Sequence, residues 1–152
     1  MLFRSQVKAL AEKYFAPISA GKTKKRQLPI EPKQTQKRTL TVEAKVPANA
    51  LYKTWHMAGR FSPHYYATDF LSDMLSRGQS SRLYQRLVKE REIFTSISSF
   101  VMGTIDPGML VVSGRVKVGI SLQQAEAEVD AVVAEFKASV SERELEKVKN
   151  QA

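Results

Sequence analysis

Residues 63–99 constrain the fold more than any other part of the chain, because they read as helix, glycine turn, helix, strand in unbroken order. Ala67, Phe70, Leu71, Met74 and Leu75 recur at three- and four-residue spacing, which predicts one apolar stripe on a helix. The run Ser76-Arg77-Gly78-Gln79-Ser80-Ser81 breaks that period. Gly78 suits a left-handed helix end, and Ser80 or Ser81 is placed to accept from the free amides of the next helix. Leu83, Leu87 and Val88 then rebuild an apolar face, and the period shifts toward a strand between residues 93 and 100.

The flanking segments extend this pattern. Phe3, Val7, Leu10, Ala11 and Tyr14 share one face of an opening helix that Pro17 ends, as the tail of a preceding unit would. Leu40, Val42, Ala44 and Val46 alternate with Thr39, Thr41, Glu43 and Lys45, which predicts a half-buried strand. Pro47-Ala48-Asn49 interrupts it before a second, aromatic-rich extended segment over 51–57. Strands over 94–102 and 109–118 flank Asp106-Pro107-Gly108, turn chemistry that predicts an antiparallel hairpin. Ser121 with Gln124, and Ser141 with Glu144, mark the starts of two more helices. Leu122, Ala125, Val129, Val132, Val133 and Phe136 make the buried stripe of the first, and Leu145 and Val148 lie on the second. That last helix has a start signal and no stop signal, which reads as truncation. The expected fold class is α+β: a mostly antiparallel sheet with helices packed on one face, incomplete at the C-terminus.

Charge and composition exclude several functions. The 152 residues suffice for one ordinary domain, and 43% hydrophobic content supports a packed core. There is no apolar run of the ~20 residues a membrane span needs. With no cysteine, disulfides, thiolate metal sites and cysteine nucleophiles are excluded. The net charge of +9 invites a nucleic-acid reading. Residues 16–38, however, hold seven bases (Lys22, Lys24, Lys25, Arg26, Lys33, Lys37, Arg38) against one acid, Glu31, a net +6. Concentrated charge beside Gly21, Pro29 and Pro32, without a binding motif, reads as a basic linker.

No catalytic constellation stands out. His56 and His64 are the only histidines, and neither belongs to a pattern that would set two histidines and a glutamate around zinc. The Gly78–Ser81 stretch lacks the lysine and glycine spacing of a phosphate loop. Asp69 and Asp73 fit a solvated helix face, and no serine has a histidine partner in a nucleophile motif. Met57, Met74, Met102 and Met109 fit core packing. Trp55, Tyr52, Tyr65, Tyr66 and Tyr84 could stack bases, but interior packing accounts for most of them equally well. The residues assign no catalytic, metal or substrate-binding side chain.

Residues 11–18 (AEKYFAPI) and 51–56 (LYKTWH), followed by Arg77-Gly78-Gln79-Ser80-Ser81-Arg82-Leu83-Tyr84 and the strand Thr95-Ser96-Ile97-Ser98-Ser99, resemble pitrilysin/insulinase-type zinc metallopeptidases, a family that includes the mitochondrial processing peptidases. The turn residues Gly78, Ser80, Ser81, Arg82, Leu83 and Tyr84 are its most specific markers. The resemblance implies paired α+β domains closing around a peptide, with a His-x-x-Glu-His zinc site in the first domain. It further implies that this chain is the second, zinc-free domain of the first half. Residues 1–17 would be the terminal helix of the preceding domain, 18–38 a basic linker, and 39–152 an incomplete non-catalytic peptidase domain. Val88 and Thr95 stand where the last domain of some members has an arginine and a tyrosine that hold substrate. The implied function is to complete the peptide-enclosing chamber and scaffold the zinc domain. The implied partners are that domain, a second homologous half and the parent's peptide substrate. No cofactor is expected in this fragment, and zinc is expected in the parent's preceding domain. Alternatives are a domain of an inactive partner subunit, or a basic nucleic-acid- or peptide-binding module.

Overall fold

The computed structural model describes residues 3–22, 27, 29 and 31–151. The chain divides into two compact units, Met1–Val42 and Glu43–Ala152. In the first, α1 (Arg4–Phe15) ends against Ala16 and Pro17 and buries no residue; Val7, Leu10 and Tyr14 of its apolar face are all exposed. The described residues between α1 and residue 49 form neither helix nor strand, and Lys24, Lys25 and Arg26 of the basic stretch lie outside the described residues.

The second unit contains β1 (Ala50–Met57), α2 (Tyr65–Ser76), a π-helix (Tyr84–Glu90), β2 (Phe94–Met102), β3 (Gly108–Val116), α3 (Leu122–Ala138) and α4 (Glu142–Lys149). The strands form one antiparallel sheet in the order β1-β3-β2. The hairpin predicted from Asp106-Pro107-Gly108 is the β2–β3 pair, in register from Met102↔Met109 to Ser96↔Arg115. Helices cover one face of this sheet, as an α+β pattern requires. Leu75, Leu87, Phe94, Val112, Val129 and Phe136 meet there in a single core. Each such side chain contributes about 1.5–3 kcal/mol by leaving water.

Three expectations are corrected. Residues 39–46 are not a strand: Leu40 and Val42 are 85% and 74% exposed, and the segment joins no ladder. Alternation marks a strand that could bury one face, but none forms without a neighbour to take up its backbone groups. The stripe on α2 is met in part: Leu71, Met74 and Leu75 reach the core as expected, but Ala67 is exposed, and Tyr65 and Ser72 are buried outside the predicted line. Small hydroxyl residues let α2 approach β2 closely, where Ser72 Oγ lies 3.3 Å from Ser99 Oγ and Ser76 donates to the Ser99 carbonyl at 2.9 Å. The helix after Gly78 is a π-helix. Its end is closed by the Arg91 amide on the Arg86 carbonyl at 3.0 Å, and Glu92 follows with φ of 53°. The wider turn is locally unfavourable, and it is held by complete burial of Leu83 and Leu87.

The starts of α3 and α4 are as expected. Ser121 accepts from the Gln124 amide at 3.1 Å, while Ser141 and Glu144 form a full reciprocal capping box.

Candidate functional site

The marker turn forms a structural clamp. Gly78 has φ of +79°, the left-handed conformation expected of it. Ser81 caps nothing: it is buried, and its hydroxyl has no partner among the described residues. Ser80 instead accepts from the Lys147 ammonium. Arg82 gathers the α3–α4 junction. Its Nε and one terminal nitrogen donate to the two Glu144 carboxylate oxygens at 2.6 and 2.7 Å. The other terminal nitrogen donates to Ser139 Oγ at 3.0 Å, and the guanidinium lies 5.2 Å from the Phe136 ring centroid. Charge-assisted, bidentate pairing of this kind is strong where water is partly excluded. The Arg82 hydrogen bond, with the Ser141 amide and hydroxyl, holds the Glu144 carboxyl down at about 2 against the cost of burial. The same pairing raises the Arg82 guanidinium above its ordinary value. Leu83 is fully buried in the core, and Tyr84 lies under the Lys89 ammonium.

The remaining candidates do not converge. His56 lies on β1 and His64 precedes α2. Among the described residues, no three of His, Cys, Asp or Glu come together as a metal site. Asp73 pairs with Arg77 at 2.6 Å on the surface of α2. Val88 packs against the core, and Thr95 sits at the β2 bulge with its hydroxyl on the Arg115 carbonyl at 3.2 Å. No described helix is long and apolar enough to cross a membrane.

The face of the sheet turned away from the helices is a second surface, which the sequence reading did not single out. Strand register sets twelve side chains on it in four rows. These are Ala50–Arg115–Ser96, Tyr52–Ser113–Ser98, Thr54–Val111–Phe100 and His56–Met109–Met102. Only Val111, flanked by Thr54 and Phe100, is buried; Tyr52 is 72% exposed, and Met102 and Met109, expected in the core, stand exposed because their strand positions face away from the helices. The rows pass from hydroxyls at one end to apolar side chains at the other. The signal was present in the alternation of Ser96, Ser98, Phe100 and Met102, but alternation alone does not say which face the helices will take.

The family profile described as the Peptidase M16 inactive domain matches residues 4–152. A comparison with curated proteins returns no match. Among solved structures, a protease from Helicobacter pylori superimposes with a TM-score of 0.84 at 25% identity, over 99% of this chain and 37% of that one. A Peptidase M16 inactive domain from Pseudomonas fluorescens gives 0.77 at 22% identity, over 99% and 36%. The inactive peptidase domain of a Bordetella parapertussis protein named as a zinc protease gives 0.62 at 21% identity, over 72% and 61%. The chain thus spans little more than a third of the two structures that match it along its length. Its fold and its resemblance to the pitrilysin type agree, and the chain belongs to the inactive-domain family of the M16 peptidases.

Proposed function

We propose that this non-catalytic domain forms part of the wall of a peptide-enclosing chamber in a zinc metallopeptidase and braces the zinc-bearing domain that precedes it. In this reading residues 1–17 are the last helix of that preceding domain, 18–38 the linker, and 39–152 the second domain of the first half. The exposed Val7, Leu10 and Tyr14 of α1 support it, because an amphipathic helix with nothing buried needs a neighbour. Zinc belongs to the parent's preceding domain, and a second homologous half closes over the peptide.

One observation carries the proposal. The sheet is covered by helices on one side only, and its other side is a broad face of exposed Tyr52, Phe100, Met102 and Met109 with unpaired outer strand edges among the described residues. Such a surface can lie along an extended chain, and among the described residues it gathers no three metal-ligating side chains for cleavage. The domain alone is therefore inactive. The 152-residue chain incubated with zinc and casein or insulin B chain should leave the substrate intact by mass spectrometry. Zinc-dependent cleavage that copurifies with the chain would overturn the assignment.

A further inference from the structure

Residues 43–152 carry fourteen bases and thirteen acids, a net charge of only +1. Most arginines in this unit are neutralised: Arg77 by Asp73, Arg82 by Glu144, Arg86 by Glu90 and Glu135, Arg91 by Glu128. Arg115 differs. It is exposed, and it meets no carboxylate among the described residues. Of the twelve positions on the open face it is the only lysine, arginine, aspartate or glutamate. It also borders an open hollow of about 220 Å³, lined in addition by Tyr52, Ser96, Ser98 and Ser113. The hollow exists because the small Ser98 and Ser113, whose hydroxyls are 3.4 Å apart, lie beside two long side chains, Tyr52 and Arg115.

We propose that this hollow binds the C-terminal carboxylate of a peptide lying along the open face, with Arg115 supplying the charge. This proposal rests on the chamber-wall reading and adds which end of the peptide the wall recognises. A guanidinium presents paired donors that match a carboxylate, and the serine and tyrosine hydroxyls can donate to its remaining lone pairs. The neighbouring rows suit the rest of the ligand. Rows on one face of a strand are about 6.6 Å apart, so a peptide with its terminus at Arg115 sets side chains over Phe100 and then over Met109 and Met102. Beyond the Ala50–Arg115–Ser96 row the bulge at Thr95 breaks the register and β3 ends at Val116, so a ligand chain that ends at Arg115 lies wholly on the regular part of the face.

The test is 15N–1H shift mapping on the 152-residue chain with an N-acetylated peptide of alternating leucine and threonine, made as the C-terminal acid and as the amide. A third peptide is the amide with one internal glutamate. The acid should bind about fivefold more tightly than either amide at low salt, as a partly exposed charge pair allows, with shifts centred on residues 96–98 and 113–115. Arg115→Gln should bring the acid within twofold of the plain amide while leaving the amide's affinity unchanged, and Arg115→Lys should restore part of the difference. High salt should shrink it. Equal binding of acid and plain amide on the open face would overturn the carboxylate site and leave the wall standing. An internal glutamate as effective as the terminus would overturn the choice of the chain end. If no peptide shifts the open face, the carboxylate site and the wall fall together.

Discussion

The two faces of the sheet are built from the same three strands yet do opposite work. On the covered face Phe94, Val112 and Val116 are at most 1% exposed, and even the charge there is enclosed: Lys53 reaches from β1 to Glu126 and Asp130 of α3 at 3.2 and 2.5 Å. On the open face, Tyr52, Phe100, Met102 and Met109 stand out in solvent. The two arginines repeat the contrast, for Arg82 is enclosed in a network of acceptors while the Arg115 side chain meets no carboxylate among the described residues. The covered face therefore carries the stability of the domain, while the open face contributes little to folding and is available to a ligand.

Urea unfolding offers the strongest way to break that contrast. Phe94→Ala should cost about 3–5 kcal/mol, as large-to-small core changes do, whereas Phe100→Ala should cost less than about 1 kcal/mol. Similar losses for the two would mean that the open face is part of the core. The arginines come next: Arg82→Ala should lose about 2 kcal/mol, because Glu144 and the Ser139 hydroxyl are left without their donor in a partly buried site. Arg115→Gln should stay within about 0.5 kcal/mol of the parent chain.

Acid sharpens the comparison further. The Glu144 carboxyl titrates in the folded domain at about 2, below its ordinary 4.5. A depressed carboxylate gives stability that is complete above the unfolded value and is lost as pH falls toward the folded one. Between pH ~5 and ~2 the domain should lose about 1–2 kcal/mol through this group after solvent screening, and Glu144→Gln should remove that part of the pH dependence. The smallest effect has the opposite sign. Ser81→Ala deletes a buried hydroxyl without a partner among the described residues and should gain about 0.5–1 kcal/mol, read as a higher urea midpoint.

Local pattern made the β2–β3 hairpin, the capped start of α3 and its Ala125, Val129, Val132 and Phe136 stripe legible, because each depends on residues a few positions apart. The errors arose where distant contacts decide. Residues 39–46 have strand alternation but pair with no strand among the described residues, and α2 buries Ser72 beside its apolar stripe because Ser72 and Ser76 meet Ser99. The π-helix is set by burial of Leu83 and Leu87 against strands later in the chain. The marker turn was recognisable as a motif, but its role was not, since Arg82 finds Ser139 and Glu144 57 and 62 residues away. The open face was hidden for the same reason. Its composition lies in the alternation of β2 and β3, while its exposure is decided by helices that pack on the other side.

The absence of cysteine allows one site on each side of the domain to be labelled cleanly. Ser98→Cys places a thiol on the open face and Gln123→Cys one on the exposed side of α3, and each can carry a photoreactive maleimide in the presence of insulin B chain. Peptide should be captured from position 98 and not from position 123. Equal capture from both positions, or capture from 123 alone, would contradict the claim that the open sheet face is the peptide-facing wall.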